Sequence, residues 1–116
     1  YYHPTVIANC KQDMRIIQEE IFGPVLPLVE FDDLDQAIEY ANDSDYGLTS
    51  SIFTNNLKTA LKACNEIRFG ETMINRDNME IFQSFHAGLR KSGIGGADGK
   101  HGLYEYMQTH AVYMRA

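Results

Sequence analysis

An α/β domain with parallel strands and flanking helices is predicted by three features of this 116-residue chain. Strand-like and helix-like segments alternate between Val25 and Asn75. The helical segments carry apolar residues at helical spacing and have turn-forming residues at their ends. The connections are short, which favours right-handed crossovers between parallel strands.

The elements follow in chain order. Thr5 to Ala8 reads as a short strand behind Pro4. Met14 to Gln18 fits neither period decisively. Val25 to Phe31, "VLPLVEF", reads as a strand that Pro27 restricts to an edge or a bulged position, because proline cannot donate to the ladder. Asp32 or Asp33 then caps a helix, and Asp33 with Gln36 has capping-box spacing. Leu34, Ala37, Ile38 and Ala41 share one helical face, and the turn formers from Asn42 to Gly47 end the helix. Leu48 to Thr54 is the next strand. A second helix starts after Asn56 with a stripe of Leu57, Ala60, Leu61, Cys64 and Ile67, and Gly70 is placed as its C-terminal cap. Glu71 to Asn75, "ETMIN", is the following strand.

Beyond Asn75 the periodicity fades. Six of the nine glycines fall in this last part of the chain. A long irregular segment within a compact domain is usually either functional or disordered, and Phe82 and Phe85 argue against disorder. A short helix is expected over Leu103 to Met107. The final "HAVYMRA" reads as an edge strand in need of a partner. The expected organisation is one domain over 1–108 and a separate terminal strand over 109–116.

A net charge of −6, from 16 acidic and 10 basic residues, gives no basic face for phosphate contacts, so no nucleic-acid partner is expected. No apolar run approaches the ~20 residues of a membrane span, and no secretory leader is recognisable, so no membrane partner is expected. Two widely separated cysteines without such a leader read as reduced thiols of a cytoplasmic protein. Cys64, on a helical stripe, reads as a small buried hydrophobe, and neither cysteine has the surroundings of an activated nucleophile. The first residue is not methionine, which suggests a processed chain or a piece of a longer one.

The glycine cluster "SGIGGADGKHG" does not form a dinucleotide fingerprint. Asp98 stands where a third glycine is required, and the cluster follows no strand. His3, His86, His101 and His110 lack metal-site spacing, so no metal is expected. His86 and Glu80 share the long irregular segment, where a bend could bring both to one pocket. Glu19 and Glu20 precede "IFGP". They are either a solvated turn, or Gly23 and Pro24 stiffen a corner that fixes Glu20 and Phe22 in place. A carboxylate accepts two hydroxyls of a sugar diol, and an aromatic ring packs on a flat ring. Such a pair suits the nucleoside end of a cofactor.

"EEIFGPVLPLVEFDD", "ANDSDYGLTSSIFT", "GETMIN" and "RKSGIGGADGKHGLYEY" occur in the order seen in the carboxy-terminal part of the NAD(P)-dependent aldehyde dehydrogenases, which the chain resembles from Tyr1 to its end. "FHAGLRKSGIGGADGKHGL" and the ending around Val112-Tyr113 are most similar to the lactaldehyde/glycolaldehyde branch. The resemblance implies the C-terminal part of that catalytic domain, with NAD or NADP as cofactor and a small aldehyde, such as a 2-hydroxyaldehyde, as substrate. It implies that Glu20 hydrogen-bonds the nicotinamide ribose and that Phe22 helps hold the nicotinamide end. It places Glu80 and His86 in the aldehyde pocket, where they are expected to bind the substrate hydroxyl. The terminal strand is expected to pair with a neighbouring subunit, giving a homo-oligomer. In this family a cysteine thiolate attacks the aldehyde, a hydride passes to the cofactor, and a glutamate assists hydrolysis of the thioester. Neither Cys10 nor Cys64 matches the nucleophile, so no catalytic residue is assigned and the chain alone is expected to be inactive. The alternative is a binding or assembly module that keeps this part of the fold without the chemistry.

Overall fold

Two parallel strand pairs organise the chain in a computed structural model that describes residues 1–116. The chain divides into two units, Tyr1–Ser44 and Asp45–Ala116, each holding one pair. The parallel strands and flanking helices agree with the α/β expectation, but each ladder has two strands where the alternation suggested one layer.

In the first unit, β1 (Thr5–Cys10) runs parallel to β2 (Val25–Val29), and the short helix α1 (Arg15–Gln18) lies in the connection. The segment that sequence left open is therefore helical. Pro27 faces Ile7, and the register slips between Ile7 and Cys10. Asn9, inside the slip, has φ +57°. A proline that cannot donate and an asparagine that tolerates the left-handed region account for the irregularity. After β2, the helix α2 (Leu34–Asn42) is capped by Asp33, whose side chain accepts from the Gln36 backbone N–H. Gln36 Oε1 in turn accepts from the Asp32 backbone N–H at 2.7 Å, so both candidate aspartates take part in the capping box. Ile38 is the buried residue of this helix.

In the second unit, β3 (Thr49–Ile52) and β4 (Glu71–Ile74) pair in register from Thr49↔Glu71 to Ile52↔Ile74, with α3 (Leu57–Glu66) between them. Asn56 caps α3 by accepting from the Lys58 and Thr59 backbone N–H groups. Asn75, at φ +52°, turns the chain out of β4, and its side-chain amide exchanges two 2.8 Å hydrogen bonds with the Thr54 backbone. That clamp ends both strands one or two residues before the sequence suggested.

Three expectations for this unit are corrected. The helix α3 ends at Glu66 with Ile67 as its extended cap, so Gly70 is not the C-cap. Gly70 instead lies against the backbone of Ala87, where a Cβ would come within 1.5 Å of the Ala87 carbonyl oxygen. Cys64 is exposed, and Ala60 and Ala63 are the buried residues of α3; the buried thiol is Cys10. The late helix α4 spans Gly99–Glu105, starting earlier than Leu103.

The segment without periodicity is ordered by backbone hydrogen bonds. The Gly47 carbonyl accepts from both Gly70 (3.1 Å) and Leu89 (2.9 Å). A 3₁₀ turn follows at Arg90–Ser92, and Ser92 Oγ accepts from the Gly47 N–H at 2.9 Å. His86 and Ala97 form an antiparallel bridge with bonds of 3.0 and 2.8 Å. Past α4 the chain is exposed and pairs with no strand of its own.

Candidate functional site

The corner before β2 separates the two adjacent carboxylates. One turn of helix places Glu19 four residues after Arg15, within reach of its guanidinium. Arg15 Nε and Nη2 donate to the two Glu19 oxygens at 2.9 and 2.8 Å. These hydrogen bonds, with the attraction of the two charges, hold the Glu19 carboxyl below its ordinary range, and they raise the Arg15 guanidinium. Glu20, the next residue, is exposed and makes no side-chain hydrogen bond or ion pair. One carboxylate is therefore structural, and the other is available.

Phe22 follows at φ +48° and is 93% exposed. A left-handed aromatic residue costs about 1–2 kcal/mol, and such strain persists only where its surroundings hold it. The hold comes from the residues that follow. The Val25 N–H bonds back to the Gly23 carbonyl at 2.8 Å, and the Thr5 N–H bonds to the Pro24 carbonyl at 2.9 Å, tying the corner to the start of β1. An apolar hollow of about 400 Å³ adjoins the corner, lined in part by Tyr2, Ile7, Ile21 and Val25. Glu20 and Phe22 are not among its lining residues.

In the second unit, His86 and the glycine-rich segment line a hollow of about 720 Å³, with Leu48, Ser92 and Leu103 also on its wall. The His86 side chain is 30% exposed, but its Nδ1 is buried and lies 3.1 Å from Glu71 Oε2. That distance suits an ion pair. Nδ1 is not aligned with the oxygen, however, so this is a close contact without hydrogen-bond geometry. Glu71 is buried, and the same oxygen accepts from Thr49 Oγ1 at 2.9 Å across the β3–β4 pair. Glu80 is exposed and not joined to His86 by a hydrogen bond or ion pair. Just before it, Arg76 Nη2 donates to the Met79 carbonyl at 2.6 Å.

The sequence pairing of Glu80 with His86 thus missed Glu71, the carboxylate that meets the histidine. A signal was present in "GETMIN", where an acidic residue opens a strand that is otherwise apolar or small. Its partner, far along the chain, has no spacing relationship to it.

A two-stranded parallel unit with a stiff acidic-aromatic corner, and a second unit with a glycine-rich hollow, define an α/β protein built on parallel strand pairs. Residues 1–112 match the model of the aldehyde dehydrogenase family. The chain belongs to that family. It is 63% identical to lactaldehyde dehydrogenase of Escherichia coli over all 116 residues, which make up 24% of that protein. The crystal structure of lactaldehyde dehydrogenase from Escherichia coli superposes with a TM-score of 0.97, covering 100% of this chain and 24% of that one. Betaine aldehyde dehydrogenase from Staphylococcus aureus, solved in complex with NAD⁺, is 42% identical with a TM-score of 0.88, over 91% of this chain and 21% of its own. The chain thus spans about a quarter of the length of these relatives.

Proposed function

We propose that this chain is the carboxy-terminal portion of an NAD(P)-dependent aldehyde dehydrogenase that oxidises a small 2-hydroxyaldehyde, such as lactaldehyde, to its carboxylic acid. The observation that carries this reading is the 63% identity to lactaldehyde dehydrogenase along the entire chain.

Glu20 and Phe22 fit the nicotinamide riboside of the cofactor. The Glu20 carboxylate accepts two hydroxyls without giving up another partner, because Arg15 is engaged by Glu19. Phe22, held outward by its backbone, offers a ring face. The cofactor supplies the hydride acceptor; these residues bind and orient it. NAD⁺ beside a relative at 42% identity supports a nicotinamide dinucleotide here.

Glu80 and His86 bind the hydroxyl that distinguishes a 2-hydroxyaldehyde from a plain aldehyde. Residues 109–116 pair with a sheet of a neighbouring subunit, which gives their exposed backbone groups partners. On this reading the nucleophile lies outside this chain, and the chain alone is inactive; the burial of Cys10, with its thiol bonded to the Ile7 carbonyl at 3.4 Å, supports this for one of the two cysteines.

Steady-state assays of the full-length protein test this. The ratio of kcat/KM for lactaldehyde over propanal exceeds one, and His86→Phe lowers it about tenfold, the effect of one unpaired buried polar group. A ratio that His86→Phe leaves unchanged contradicts the substrate assignment.

A further inference from the structure

We propose that Glu71 is a positioning residue that holds His86 with its proton on Nδ1, leaving Nε2 as a hydrogen-bond acceptor; that Nε2 then accepts from the substrate hydroxyl rests on the functional reading above.

Both partners are fixed by the backbone. Glu71 opens β4 directly opposite Thr49, and its side chain is 7% exposed. His86 is anchored by its two backbone bonds to Ala97, and Ala87 packs against Gly70, the residue before Glu71. Neither residue can move far without disturbing this backbone contact.

The chemistry then selects one tautomer. A carboxylate only accepts, and a neutral imidazole has one donating and one accepting nitrogen. Glu71 Oε2 already accepts from Thr49 Oγ1 at 2.9 Å and stands 3.1 Å from His86 Nδ1. An unprotonated Nδ1 would stand 3.1 Å from that oxygen as a second electron-rich atom, buried and with no proton between them. A proton on Nδ1 turns the same approach into attraction. A rotation of the ring that aims the N–H at the oxygen completes a charge-assisted hydrogen bond. Nε2 is then unprotonated and can accept a proton donor. An orienting carboxylate behind a ligand-facing histidine fixes its tautomer in this way at many sites.

Neutron diffraction from deuterated crystals of the full-length protein reads the tautomer directly. The crystals are grown at about pH 8.5, roughly two units above the ordinary imidazole value. A deuteron on Nδ1 and none on Nε2 is expected; a deuteron on Nε2 overturns the proposal. The kinetic arm compares Glu71→Ala and Glu71→Asp with wild type. Glu71→Ala lowers the lactaldehyde-to-propanal ratio of kcat/KM about 5- to 20-fold, and Glu71→Asp, which restores a carboxylate, recovers most of it. If His86→Phe lowers the ratio and Glu71→Ala does not, Glu71 has no positioning role. If His86→Phe has no effect, the substrate reading fails on its own, and the neutron map still decides the tautomer. The map comes from wild-type protein, so it decides even where Glu71→Ala fails to fold.

Discussion

Arg15 grips Glu19 with two nitrogens, 2.9 and 2.8 Å from its two carboxylate oxygens, and leaves the neighbouring Glu20 without a cation. The bonds from Arg15 hold the Glu19 carboxyl below its unfolded value. A depressed folded-state value stabilises the protein above the unfolded value, near 4.3, and this contribution is lost as pH falls through the lowered one. The Tm difference between wild type and Glu19→Gln is therefore small, favours wild type near neutral pH, and vanishes in strong acid. High salt also reduces it, because both side chains are exposed. Thermal melts across pH check this, and a difference that grows in acid contradicts it.

Glycine substitutions separate close packing from turn formation. Gly70→Ala drives a methyl into the Ala87 carbonyl, with a contact of 1.5 Å that neither backbone can relieve cheaply. It costs more than about 3 kcal/mol or prevents folding. Gly23→Ala meets nothing closer than 3.8 Å and changes stability by less than about 1 kcal/mol in either direction. Denaturant melts of the two full-length variants give the comparison, and equal stabilities contradict it.

Removal of residues 109–116 tests the assembly role. These residues are exposed and outside any strand pair of this chain. Sedimentation velocity of the truncated full-length protein shows a smaller species than wild type if they pair between subunits. An unchanged sedimentation coefficient per subunit assigns assembly to another surface.

The succession of β2, α2, β3, α3 and β4 was legible because period and capping agreed. Asp33 accepts from Gln36, and Asn56 accepts from Lys58 and Thr59, as residues of these types do at helix starts. The stripe of α3 was legible as helix but misleading about burial. Leu57 is 72% and Leu61 55% exposed, while Ala63, off the stripe, is buried. A period shows which residues share a face, but only the packing partners decide whether that face is covered.

The segment from Phe82 to Gly99 was the least legible part. Its order comes from backbone bonds to distant residues, such as Leu89 N–H to the Gly47 carbonyl, which leave no side-chain period. The true role of Gly70 was hidden for the same reason, since a close approach of two backbones has no local signature. Glu20 and Phe22 were legible as a candidate site through the stiff Gly23-Pro24 turn. The division of labour between Glu19 and Glu20 was not, because it depends on the helical turn that brings Arg15 alongside.

Calorimetric titration of the full-length protein tests the proposed hold of Glu20 on the nicotinamide ribose. Wild type and Glu20→Gln are each titrated with NAD⁺, or NADP⁺ if that is the preferred dinucleotide, and with ADP, which lacks the nicotinamide riboside. Loss of hydrogen bonds to a charged acceptor, about 1.5–3 kcal/mol, weakens dinucleotide binding roughly 10- to 100-fold. That loss is expected for the dinucleotide, with an unchanged ADP affinity. Equal weakening of both ligands, or of neither, would contradict it.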